Sequence, residues 1–200
     1  MSSSKNFLIV LTILIISTSC VFSFTLECKF DDYLYEKNYK CDVEKLSVTT
    51  HNQIVSDVSG LHIPRRTNAD VIILSIDGQT AHYLPQGLDK FFPNVIYLNI
   101  NKSGLKEITK NDLKNFPKLR NIAVRGNDIE SLPSDLFEYN PEITNIGFAS
   151  NKIKSIGKDI FKSLNNLESV NLLRNTCISQ QSNNRSEIAE MMKNANECFQ

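Results

Sequence analysis

The apolar residues Leu119, Ile122, Val124, Ile129, Leu132 and Phe137 are spaced in a way that fits neither a helix nor a strictly alternating strand. Shifted by twenty-four residues, the spacing returns at Ile143, Ile146, Phe148, Ile153, Ile156 and Phe161, and upstream at Val95, Leu98, Ile100, Leu105, Ile108 and Leu113. Outer copies begin at Val71 and Leu167, so five copies start at 71, 95, 119, 143 and 167 with no insertion between them. Self-similarity at this period marks a stacked solenoid, in which one unit cannot bury its apolar face alone and stability comes from contacts between neighbours. No other feature of the chain constrains the fold as much.

Within each copy the spacing L-x-x-L-x-L ends in alternation, which predicts a strand with one set of side chains inward and the other exposed, paired to the strand of the next copy. Three places after the strand stand Asn127, Asn151 and Asn175, whose amides are expected to turn inward and bond the backbone of adjacent coils as structural ladder rungs. Leu84-Pro85 and Leu132-Pro133 close the turn, and Phe92, Phe116, Phe137 and Phe161 supply large apolar bodies to the far side of the core. Over residues 71 to about 177 this pattern resembles the typical extracellular leucine-rich repeat family. The phrases GLDKFFPN (87–94) and DLKNFPKLR (112–120) are similar to those in small secreted leucine-rich repeat proteins of flies and midges. The departures are Gln79 and Ser103 in the asparagine place, which predict a weaker ladder at that end, and Ala81 in place of leucine. The expected fold is an α/β-type repeat solenoid, a short leucine-rich repeat horseshoe with a concave parallel sheet. A disulfide-closed N-terminal β cap and a C-terminal helical cap are expected at its ends.

The flanks complete the plan. Residues 1–23 carry Lys5, the apolar run FLIVLTILII and small residues before a cut after Ser23, which is the form of a secretory signal peptide. The apolar core is too short for a membrane span, which needs about twenty residues. Residues 24–70 read as the N-terminal β cap, with TLECKF and YKCDV as a hairpin, two further β-branched runs around His51-Asn52 that match no repeat frame, and PRRTNAD (64–70) as a connecting loop. Residues 177–200 read as the C-terminal cap. There Asn184 with Glu187 marks a helix start, and Ile188, Met191, Met192 and Ala195 form a stripe that covers the open end of the core. Cys20 leaves with the leader, and the remaining Cys28, Cys41, Cys177 and Cys198 suit disulfides in an oxidising compartment. Four cysteines allow three connectivities. Their placement as two flanking pairs favours Cys28-Cys41 and Cys177-Cys198, while their spacing and the absence of a nearby histidine argue against zinc.

Little in the sequence suggests catalysis. His51, His62 and His82 are scattered singly and read as surface or loop residues, and no phosphate-binding glycine loop, nucleophile elbow or dinucleotide fingerprint is present. The adjacent acids Asp31 and Asp32 read as a solvated turn. The chain therefore reads as non-catalytic, with no cofactor, no metal and no catalytic residues. Its 22 basic and 22 acidic residues balance, and loss of Lys5 leaves the mature chain slightly negative, which speaks against nucleic acid as a partner.

What remains is the concave face, the surface solenoids use for binding. The outward strand places are occupied mainly by polar and small residues, among which Tyr97, Asn99, Asn121, Arg125 and Asn145 are the binding candidates and Tyr97 and Arg125 the large anchors. Sequons at Asn101-Lys-Ser103 and Asn184-Arg-Ser186 are glycosylation candidates. The family resemblance implies a secreted, extracellular module for a protein or glycan partner, in immune recognition or matrix organisation. A structural role through homo-oligomer assembly, or inhibition of an enzyme, stays open beside it.

Overall fold

The computed structural model describes residues 21–33 and 38–199, so the leader expected over residues 1–23 lies, as far as residue 20, outside the described residues. At the N-terminal end β1 (Phe22–Tyr33) and β2 (Asn38–Lys45) form an antiparallel hairpin closed by the Cys28–Cys41 disulfide. After β3 (Ser47–Val48) the chain returns as β4 (Gln53–Ser59), which pairs in parallel with the far edge of β1. The repeats then follow as β5 (Ile73–Asp77), β6 (Thr80–Ala81), α1 (Leu88–Phe91), β7 (Tyr97–Asn101), α2 (Lys110–Leu113), β8 (Asn121–Ala123), β9 (Ser131–Leu132), β10 (Asn145–Gly147), β11 (Ser155–Ile156) and β12 (Ser169–Asn171). The chain ends with β13 (Gln181–Ser182) and α3 (Arg185–Asn194).

One nine-stranded sheet runs the length of the molecule in the order β13-β12-β10-β8-β7-β5-β2-β1-β4. The repeat strands pair in parallel and in register, so Leu74, Leu98, Ile122, Ile146 and Val170 lie side by side. These five side chains are buried, as are the repeat-leading Val71, Val95, Leu119, Ile143 and Leu167, in one continuous core. Burial of such side chains is worth about 1.5–3 kcal/mol each before the entropy of ordering the chain is counted. Phe92, Phe116 and Phe137 close the core on its far side, whereas Phe161 is only half-buried and leans on Phe137 at 6.1 Å between ring centroids.

The rungs repeat one geometry. Asn127 Nδ2 donates to Ile100 O, Asn151 Nδ2 to Val124 O and Asn175 Nδ2 to Phe148 O, while their Oδ1 atoms accept from Leu105, Ile129 and Ile153 N–H. The weaker end is nonetheless continuous. Ser103, 2% exposed, has its hydroxyl between Asn101 O at 2.9 Å and Ile76 O at 3.2 Å and accepts Gln79 N–H, and Gln79 Oε1 accepts Leu46 N–H in turn. The residue just before each rung holds a left-handed backbone: Gly78, Lys102, Gly126, Ser150 and Arg174 have φ of 65°, 49°, 68°, 57° and 58°. This conformation turns the chain inward off the strand, and it costs a non-glycine residue about 1–2 kcal/mol.

The N-terminal cap holds a coil that the 24-residue frame does not reveal. Cys41 sits in register with Leu74 and Val48 with Ala81, so residues 41–48 follow the path of a repeat even though the chain takes thirty-three residues, not twenty-four, to come round again. The added length carries the detour through β4. A second correction concerns Asp31 and Asp32, which are not a turn: β1 runs through both, pairing them with Lys40 and Tyr39. The hairpin ladder needs only their backbone groups, and both side chains reach solvent from opposite faces, so neither ends the strand. His62 also differs from a plain loop histidine, because its Nδ1 shares a 2.7 Å hydrogen bond with the Tyr39 hydroxyl and its ring lies 3.9 Å from that of Phe30.

At the other end Asn184 caps α3, its side chain accepting Glu187 N–H at 2.9 Å, and Ile188, Met191 and Ala195 pack inward with Met192 at the margin. The Cys177–Cys198 disulfide ties the fifth repeat to the segment after this helix.

Candidate functional site: the concave face

The strand register arranges the outward side chains in rows across the sheet. One row runs Ile73, Tyr97, Asn121, Asn145 and Ser169, and the next runs Ser75, Asn99, Ala123, Gly147 and Asn171. Strand residues alternate between faces, so each row consists of side chains that cannot enter the core. The choice of residues then decides what the face can bind.

Amides dominate the C-terminal half. Asn145 Nδ2 donates to Asn121 Oδ1 at 2.7 Å and to Thr144 Oγ1 at 2.9 Å, which uses both of its hydrogens and fixes the side chain. Asn121 Nδ2 and Asn145 Oδ1 have no partner among the described residues and remain open as a donor and an acceptor. Asn171 Nδ2 donates to Gln181 Oε1 at 3.0 Å, and Gln181 Nε2 donates to Asn183 Oδ1 at 3.3 Å. Gly147 leaves a gap in this floor. A Cβ there would come within 3.2 Å of Arg125 Nε, so the guanidinium lies in the space that any larger residue would fill. Among the described residues no carboxylate lies within ion-pair distance of Arg125.

These residues line a cleft of about 350 Å³ that spans β8, β10, β12 and β13. Of the five residues expected to bind, the cleft brings together Asn121, Arg125 and Asn145. Tyr97 and Asn99 stand on β7, toward the N-terminal cap and outside the cleft, where Tyr97 is half-buried beside Ile73 and Asn121. The repeat frame misses Gln181. It follows the last repeat and reaches the face only because β13 reverses direction and pairs antiparallel with β12, an event that a repeating spacing does not encode. The sequons fall as follows. Asn101 Oδ1 accepts Arg125 N–H at 3.1 Å at the rim of the same face, with the Ser103 hydroxyl directed into the core. Asn184 and Ser186 are exposed at the start of α3 and do not line the cleft.

Among the described residues no helix is long and apolar enough to cross a membrane, and the chain carries two disulfides. No protein-family model and no curated protein matches the sequence. Solved structures do match the fold. The Toll–Spatzle complex of Drosophila aligns over 54% of this chain and 14% of that chain, at 24% identity with a TM-score of 0.51. The TLR13–ssRNA13 complex aligns over 63% and 18%, at 19% identity with the same TM-score. The chain thus spans less than a fifth of the length of either. Parallel strands in register, a ladder of buried polar side chains and these neighbours together establish the fold as a small leucine-rich repeat solenoid with a helical C-terminal end.

Proposed function

We infer that the protein is a secreted, non-catalytic binding module that takes a protein or glycan ligand on its concave face, as expected of a small extracellular leucine-rich repeat protein of the kind found in flies and midges. The observation that carries this reading is the cleft itself. Arg125, without a carboxylate partner among the described residues, is held over Gly147 and faces fixed side-chain amides from Asn121 and Asn145. Amide pairs with one open donor and one open acceptor suit hydroxyl groups of a glycan or the backbone of a peptide, and a lone arginine adds an anchor for a carboxylate. The solved neighbours include one complex with Spatzle and one with a single-stranded RNA. For this chain a protein or glycan fits better than RNA, since Arg125 is the only cation among the described residues that line the cleft, whereas nucleic-acid binding calls for a basic stripe. The disulfides and the leader expected over residues 1–23 support extracellular recognition, in immunity or in matrix organisation.

The test is capture of the ligand from extracellular fluid on the immobilised mature chain, compared with Gly147→Gln, Arg125→Ala, Asn145→Ala and Tyr97→Ala. Gly147→Gln and Arg125→Ala should weaken capture at least tenfold. A ligand whose retention ignores all four substitutions rules out the concave face. Sizing at several concentrations addresses the structural or inhibitory alternative, for a chain that assembles with itself shifts to larger size as it is concentrated.

A further inference from the structure

A second cavity, which shares no lining residue with the concave cleft, lies between the turn after β11 and helix α3, with a volume of about 440 Å³. This is within the usual size range of a small-molecule site. Its floor is apolar, formed by the buried Ile160, Leu164, Leu167 and Ile188. The half-buried Phe161, Met192 and Phe199 make the walls. The walls are tied down: Phe199 bridges to Ile156, the adjacent Cys198 is bonded to Cys177, and Phe161 rests on Phe137. The mouth differs sharply in chemistry. Lys158, Lys162, Arg185 and Lys193 surround it, with Asp159 as the one acidic residue among the described residues of the lining. Lys152 and Lys154, on the same repeat, are each paired to an acid at 2.6 and 2.9 Å, yet Lys158, Lys162 and Lys193 have no such partner among the described residues. Arg185 is steadied at the rim by a 2.7 Å hydrogen bond to Asn165 O.

We propose that this pocket binds a single-chain anionic amphiphile free in solution, a medium- or long-chain carboxylate, with the alkyl chain on the Ile160–Leu164–Ile188 floor and the head group among the rim cations. An apolar floor alone would accept any greasy ligand. The four cations against one acid select a negative head, and a pocket bounded by a turn, a helix and a terminal aromatic suits one chain better than a bilayer surface or a flat partner. None of the concave-face residues takes part, so this site stands apart from the function inferred above.

Calorimetric titration of the intact mature protein with hexanoate, octanoate and decanoate, below their aggregation limits, tests the proposal. Each added methylene should tighten binding about three- to fourfold while the chain still fits, and decanol should bind about tenfold more weakly than decanoate. Ala189→Trp should fill the pocket and abolish binding. The exposed double substitution Lys162→Glu with Lys193→Glu should weaken decanoate at least tenfold even if the tryptophan variant does not fold, and Arg125→Ala should leave it unchanged. Equal binding of alcohol and carboxylate, affinity that ignores chain length, or adsorption to anionic vesicles without binding of monomeric decanoate each overturns the proposal. So does a self-association that decanoate fails to displace, which would mean that a second copy occupies the pocket.

Discussion

Asn127 holds Ser103 from the neighbouring coil: its Oδ1 accepts the Ser103 N–H at 3.0 Å, and the Ser103 hydroxyl in turn accepts Gln79 N–H and lies 3.2 Å from Ile76 O, both in the coil before. Buried amide bonds thus hand each coil to the next, and their worth depends on which groups they leave behind when removed. Asn151→Leu strips Ile129 N–H of its acceptor inside the core and should cost about 1–3 kcal/mol. Asn166 is exposed at a repeat junction, so Asn166→Ala should fall within about 0.5 kcal/mol of wild type. Asn140 is a different case, fully buried where the other repeats place Phe92, Phe116 and Leu164. It donates to Leu113 O and Phe116 O, which also accept Phe116 N–H and Leu119 N–H, while its own Oδ1 has no partner among the described residues. Asn140→Leu should therefore be neutral or stabilising. Denaturant melts giving Asn140→Leu and Asn151→Leu the same loss would contradict this account of the ladder.

The left-handed residue before each rung offers a gain of stability. Ser150 is exposed at φ 57°, and its N–H to Leu173 O survives any substitution other than proline. Ser150→Gly should raise stability by about 1 kcal/mol by relieving the side chain of that conformation, partly offset by the greater freedom of glycine in the unfolded chain. The same change at Arg125, whose backbone is not left-handed, should destabilise. A melt in which both variants move alike would refute the assignment.

Tyr39 links stability to alkaline pH. Its side chain is buried, and that burial raises the phenol above its ordinary value, since the charged form loses solvation. The folded state therefore favours the protonated phenol. Its contribution is complete below the unfolded tyrosine value of about 10 and is lost as pH climbs through the raised folded value. Tyr39→Phe removes the hydroxyl bonds to His62 and from Ile63 N–H, and should cost about 1 kcal/mol at neutral pH while flattening the alkaline decline. Unfolding curves from pH 7 to 11 check this, and equal alkaline losses in both proteins would exclude Tyr39 as their source.

The two sequons should differ in when they can be modified. At Asn184 the capping Oδ1 is engaged but the amide nitrogen is open and Ser186 is exposed, so a glycan fits on the folded chain. At Asn101 the partner hydroxyl of Ser103 is committed to the core, so attachment has to precede closure of the second repeat. Mass spectrometry of protein from its native tissue should find high occupancy at Asn184 and low occupancy at Asn101. Full occupancy at Asn101 would show that modification outruns folding, and would place a sugar beside Arg125 at the mouth of the cleft.

The core and the concave rows were legible because each depends on a spacing that repeats. Leu74, Leu98, Ile122 and Ile146 fall into line by a shift of twenty-four residues and nothing more. Legibility fails where the path changes without a change in chemistry. Residues 41–48 follow a coil, but β4 and the loop after it stretch the return to Leu74 beyond the common period. Gln181 reaches the cleft by a reversal of direction, and Asn140 hides at a place where its neighbours are apolar. The pairing of Tyr39 with His62 joins residues far apart in the chain through a cap that has no repeat to predict it.

A parallel stack of coils is in principle unbounded, because the edge of its last strand is a template for another coil of the same kind, whether from its own chain or from a second molecule. Here β13 lies on that edge running the other way, and it is two residues long. An incoming strand would have to pair antiparallel to it to keep the direction of the repeats, and finds only two residues to pair with. The far edge is blunted as well, since Val55 N–H is bound to Gln86 O and Gln86 N–H to Gln53 O. The two end strands thus leave a further coil little open backbone to pair with, at one end because the strand is short and at the other because its groups are already bonded.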